Sequence, residues 1–136
     1  MADLNTFYAT WTPRFLSVLR IIAGFLFIWH GSQKFFNFPP APPEMVPDPL
    51  PPIILVAAAL ELFGGLLILF GLLTRPVAFL LSGLMAVAYF MAHAPSGFLP
   101  LQNGGELAVL YCFVFLFLAV AGGGEWSLDN LLRKKD

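Results

Sequence analysis

Four apolar runs dominate the chain, each carrying few charges and each closed by glycine, proline or a charged residue. The second shows the pattern best. From Ile53 to Leu73 it runs for 21 residues, and at about 1.5 Å of rise per residue a helix of that length crosses the roughly 30 Å hydrocarbon core of a bilayer. It stops at Thr74, Arg75 and Pro76, where a charge and a helix breaker mark a tight turn. The first run covers about 14–36 and the third 77–94, the latter ending at Pro95, Ser96 and Gly97. The fourth, about 104–122, opens after Asn103 and closes on Gly122, Gly123 and Gly124. These runs predict an all-α integral membrane protein, a four-helix bundle forming one domain over residues 1–136.

The stretches between the runs sharpen this picture. Residues 37–52 hold eight of the chain's twelve prolines. Proline fixes φ and removes an amide donor, so an extended loop outside the hydrocarbon is expected there, with no regular element. Met1 to Pro13 is short and polar, with Tyr8 and Trp11 placed to touch the interface. In the first run Gly24 and Gly31 lie seven residues apart, a stripe along which a neighbouring helix backbone can approach closely. After Trp126, Ser127 is a candidate N-cap, and Leu128, Leu131 and Leu132 share one face. A short amphipathic helix on the membrane surface is expected.

Composition agrees and narrows the function. The chain is 59% hydrophobic and only 11% charged, against about a quarter charged in soluble domains. Its net charge is −1 and it has no block of like charges to track a phosphate backbone, which argues against nucleic acid. Its one cysteine, Cys112, excludes an internal disulfide or a cysteine-based redox pair. The run Phe15 to Trp29 is not read as a signal peptide, because Arg20 interrupts it and His30, Gly31, Ser32, Gln33 and Lys34 follow in place of a small-residue cleavage site. With four spans, Arg14, Arg75, Arg133, Lys134 and Lys135 share one side and Lys34 stands on the other, so both termini are expected to be cytoplasmic.

Glu61 is the residue that this pattern does not accommodate. It lies inside the second run, where an ionisable side chain is costly unless neutral, paired or facing a wet cavity, and so marks a functional site. Counting from the span ends places His30, Lys34, His93 and Glu106 within roughly 10 Å of the outer boundary, with Glu61 a few ångströms deeper. All four spans contribute to this layer. Arg20 sits near the opposite edge, able to snorkel to the headgroups or to reach inward toward Glu61, and Arg20 and Lys34 together balance Glu61 and Glu106.

Three chemistries fit such a layer. Imidazole with carboxylate suits zinc or iron, although no two of these residues share a helix at metal-ligand spacing. A quinone or another polar headgroup could be held by His and Lys donors, with Glu61 giving or taking a proton and Tyr89 and Tyr111 lining the pocket. A proton or solute path is disfavoured because the inner half carries only Arg20. A purely structural polar clasp is the bland alternative.

The residues that carry these readings also form a larger pattern. It comprises Arg20, Gly24, His30, Gly31 and Lys34; Glu61 with Gly64, Gly65, Gly71, Thr74 and Arg75; His93; Asn103, Gly104, Gly105 and Glu106; and Gly124, Trp126, Ser127, Leu128 and Asp129. In this the chain resembles the DoxX family of small four-helix bacterial membrane proteins, over nearly its whole length. The resemblance implies a bundle in the bacterial inner membrane and, from some members, a component of a membrane redox complex that works with the quinone pool alongside other membrane subunits. On that reading Glu61 and His93 are the candidate catalytic pair, and His30, Lys34, Tyr89 and Glu106 the candidate cofactor-binding side chains. The rival expectation is a noncatalytic accessory subunit of a larger membrane complex.

Overall fold

The computed structural model describes residues 2–135, all of its regular elements helical. Three helices are long and apolar enough to cross a membrane: α1 (Ala2–Phe36), α2 (Pro52–Phe70) and α3 (Thr74–Ser96). A single turn, α4 (Pro100–Asn103), precedes α5 (Glu106–Ala121), a fourth apolar helix of 16 residues, and α6 (Leu128–Arg133) closes the fold. The chain is a membrane protein, and its apolar helices imply a lipid bilayer around them.

Two helical hairpins make the bundle. α1 packs along α2, and α3 along α5. The first seam follows the expected glycine stripe: a Cβ on Gly24 would stand 2.6 Å from the Leu69 nitrogen, and one on Gly31 2.5 Å from the Leu62 nitrogen. Only a hydrogen fits at either position, so the two backbones touch. Between the hairpins, Phe27, Ile68, Leu81, Met85, Tyr111, Phe115 and Leu118 form the buried core. Phe27 meets Tyr111 and Phe115 edge-on, with ring centroids 5.1 and 4.9 Å apart.

The first helix departs from expectation. It begins at Ala2, about three turns before the predicted span, and continues through Pro13. Proline lacks the N–H that would bond the Ala9 carbonyl one turn back, and Ala9 is exposed; separately, the Pro13 carbonyl accepts the Glu125 N–H at 3.2 Å. In the proline-rich loop one 3₁₀ turn, Pro43–Met45, forms where no regular element was expected. A 3₁₀ turn has proline at its start, where the missing donor costs nothing.

One end of the bundle gathers Pro13 to Arg20, the turn between α2 and α3, and the segment from Gly122 to α6. There Ser127 caps α6, its Oγ accepting the Asn130 N–H at 3.2 Å, as its sequence position predicts. Leu128, Leu131 and Leu132 remain exposed, as an interfacial face requires. α6 is tied to the α2–α3 turn through Asp129, whose carboxylate accepts the Leu73 and Thr74 N–H groups at 2.7 and 2.8 Å. This clamps Leu73 in the left-handed region, at φ 52°.

Candidate functional site

Glu61 and Lys34 meet inside the bundle. The Lys34 ammonium donates to both carboxylate oxygens, at 2.6 and 2.5 Å, with Glu61 only 5% exposed. Lys34 stands three turns after Gly24 on α1, so the glycine seam that draws α1 onto α2 also brings this pair together. His30, one turn before Lys34, lies within electrostatic reach of both charges. Its ring is exposed and packs against Phe27 and Tyr111, with centroids 6.2 and 6.1 Å away. Through Tyr111 this ring meets α5, beside the point where Phe27 of α1 packs on the same helix.

A second polar cluster occupies the ends of α3 and α4. Asn103 Nδ2 donates to the Tyr89 hydroxyl at 3.1 Å and to the Gly97 carbonyl at 2.9 Å, while its Oδ1 accepts the Gly105 N–H at 2.8 Å. His93 Nδ1 lies 3.2 Å from the Asn103 carbonyl, and its ring stacks near Tyr89. Gly64 faces Leu81 across the α2–α3 contact, so Tyr89 lies roughly 7 Å closer to this end than Glu61. No hydrogen bond or ring contact joins the two clusters among the described residues.

Glu106 stands apart from both. It opens α5 with its side chain exposed, in a groove of about 370 Å³ lined otherwise by Pro100, Leu101, Gly104, Leu107 and Leu110. It therefore balances no cation of the spans. Among the described residues no three His, Cys, Asp or Glu side chains come close enough to hold a metal ion.

Backbone geometry singles out the two candidate catalytic residues in a way that the sequence did not. Leu60–Gly64 and Tyr89–His93 are π-helical turns, the first containing Glu61 and the second both Tyr89 and His93. Each wide turn inserts one residue into a helix and rotates the remainder of that helix by about 100°, a distortion concentrated at functional sites. Asn103 is the member that sequence reasoning missed as a site residue. Its place before two glycines reads as a helix start, whereas its amide spans Tyr89, Gly97 and Gly105.

Arg20 neither snorkels nor reaches Glu61. Only 1% exposed, it donates from Nε to Gly123 O at 2.8 Å and from Nη1 to Ile68 O at 2.8 Å and Leu69 O at 2.5 Å, while Nη2 bonds the Trp126 carbonyl. Ile68 and Leu69 belong to the last turn of α2, whose carbonyls lack partners within the helix and carry the negative end of its dipole. Backbone oxygens accept all of these hydrogen bonds, and the Asp129 carboxylate adds an electrostatic attraction to the same charge.

The family model for DoxX matches residues 15–94, the stretch that holds His30, Lys34, Glu61, Tyr89 and His93. The chain belongs to the DoxX family. Among its relatives, an uncharacterized protein of Haemophilus influenzae is 44% identical, over 90% of this chain and 94% of its own length. The Escherichia coli inner membrane protein YqjF is 35% identical over 87% of this chain and 92% of its own. A Bacillus subtilis protein named "Putative oxidoreductase CatD" is 30% identical over 86% of each. No solved structure matches this DoxX chain.

Proposed function

We propose that this DoxX protein is a component of a membrane redox assembly in the bacterial inner membrane, exchanging electrons with the quinone pool through the polar groups at one end of its bundle. The observation that carries this reading is the placement of Glu61 and of Tyr89 with His93 on π-turns of adjacent spans. The name of the Bacillus subtilis relative, an oxidoreductase, supports the same class, and that of the Escherichia coli relative supports the inner membrane.

The donor set fits a quinone. His30 is exposed, makes no hydrogen bond among the described residues and is free to donate to a carbonyl oxygen. The Tyr89 hydroxyl accepts from Asn103 and keeps its own proton to give. With His93 Nδ1 held at the Asn103 carbonyl, Nε2 faces away from that bond and can exchange a proton. Phe27, Tyr111 and Phe115 supply an apolar aromatic wall beside His30. A bound quinone would supply two-electron, two-proton chemistry. Glu61 and Lys34 form a proton-holding pair whose charge is conserved whichever partner carries the proton. Electrons must come from a partner subunit, since the chain carries no nucleotide motif or cysteine pair of its own.

Glu61→Gln and His93→Gln test this reading in membranes that contain the full chain with its natural neighbours. Both variants are expected to lower quinone-linked reduction at least tenfold per molecule of protein in the membrane, with the amount present measured alongside. Unchanged rates in both would instead support the accessory reading, which the mutual satisfaction of Lys34 and Glu61 also favours.

A further inference from the structure

At the end of the bundle opposite His93, a cavity of about 660 Å³ opens between Pro13 and Leu16 of α1, the start of α3 and α6. That is within the range of small-molecule sites. Among the described residues its Thr74 carries the one buried side-chain oxygen without a hydrogen-bond partner: Thr74 is 0% exposed and its Oγ1 is unpaired. That hydroxyl lies against Gly123, another residue of the cavity wall, where a Cβ would stand 2.9 Å away. A buried hydroxyl without a partner has an unfilled hydrogen-bonding valence, which favours whatever can fill it.

Two guanidinium groups line the same cavity. Arg75 commits Nη1 to the Ala119 and Val120 carbonyls, which leaves the edge formed by Nε and Nη2 beside Gly122, with a Cβ there 3.5 and 3.3 Å from those atoms. Arg133 spends Nη2 on Asn130 Oδ1 at 3.1 Å and keeps its other donors. The carboxylates of the cavity are already engaged. Asp129 uses both oxygens on the Leu73 and Thr74 N–H groups, and Glu125 pairs with Arg14 at 3.0 Å. The groups left uncommitted are therefore donor-rich and cationic, and a fork of guanidinium donors matches the oxygens of a phosphate.

We propose that this cavity binds a phosphate group, clamped by Arg75 and Arg133 and reached from within by the Thr74 hydroxyl. The site is independent of the redox reading, and its phosphate can arrive on a lipid headgroup or free in solution. Its position supports either source: Trp126 and the exposed leucines of α6 flank it as interfacial residues, while Arg75 and Arg133 are themselves exposed.

The full chain, purified in a nonionic detergent, is titrated separately with inorganic phosphate and with short-chain phosphatidylglycerol, and its melting temperature is followed against chloride at equal ionic strength. A saturable rise with phosphatidylglycerol alone assigns a lipid headgroup, and one with inorganic phosphate assigns a free phosphate ligand. In either case Arg75→Gln is expected to weaken apparent affinity at least tenfold, and Thr74→Val several-fold. Arg133→Gln, at an exposed position, supplies a second charge variant should Arg75→Gln fail to fold. The proposal is overturned if neither titrant gives a saturable rise over chloride, or if Arg133→Gln and Thr74→Val bind both titrants like the parent; an ordered water would then account for the Thr74 hydroxyl.

Discussion

Lys34 and Glu61 each serve as the other's solvent. The Lys34 side chain is 23% exposed and that of Glu61 7%, so the carboxylate depends on its partner almost entirely and the ammonium in large part. Removing one partner strands the other, whereas removing both leaves an apolar contact that a bundle accepts readily. Lys34→Met and Glu61→Leu are each expected to lower stability in detergent by about 3 to 5 kcal/mol, and the double variant to recover most of that loss. Denaturation midpoints of the three variants measure the coupling directly. A double variant no more stable than the singles would show that the pair does not act as a unit. Among the site residues, Glu61 announces itself as a charge in an apolar run and Lys34 falls in the same layer, but the sequence leaves Arg20 the option of reaching inward to the same carboxylate, which only side-chain geometry removes. Asn103 was hidden by its own neighbours, since Asn-Gly-Gly reads as a turn whatever its amide bonds.

At the scale of the helices, the bundle rests on the α1–α2 seam. Gly31→Val would drive two methyl groups into the Ala58 carbonyl and the Leu62 backbone, where even a single Cβ lies within 2.6 Å. α1 and α2 must then separate, which also pulls Lys34 from Glu61. The expected loss is at least about 1 to 3 kcal/mol, the usual cost of overpacking, and is read as a lower melting temperature with the ion-pair variants no longer additive to it. The apolar runs made the spans legible because a bilayer demands about 20 apolar residues of any helix that crosses it. Their exact ends were less so. α1 passes through Pro13 because the Ala9 carbonyl that loses its donor is exposed, a circumstance with no local signal in the sequence. The π-turns at Glu61 and His93 were equally invisible, since one inserted residue leaves the hydrophobic pattern of a fully apolar helix unchanged.

For the molecule as a whole, the α2–α3 turn, the segment after α5 and the first turns of α1's span share one end, so an even number of crossings separates the two termini. That end carries Arg14, Arg75 and Arg133, and from this excess of basic residues we expect it to face the cytoplasm by the positive-inside bias. A reporter active only in the cytoplasm, fused after Asp136, is expected to be active, and one inserted in the proline-rich loop at Glu44 to be silent. The reverse pattern would invert the bundle and place the phosphate cavity outside.

The guanidinium of Arg20 has a consequence in time as well as in space. Its oxygen partners include Gly123 and Trp126, more than a hundred residues further along the chain. During synthesis the guanidinium therefore meets its α2 acceptors, the Ile68 and Leu69 carbonyls, well before Gly123 and Trp126 are made, and its set of acceptors is complete only once that later segment has folded back. A chain halted between α2 and Gly123 would hold that cation with only the Ile68 and Leu69 carbonyls as acceptors.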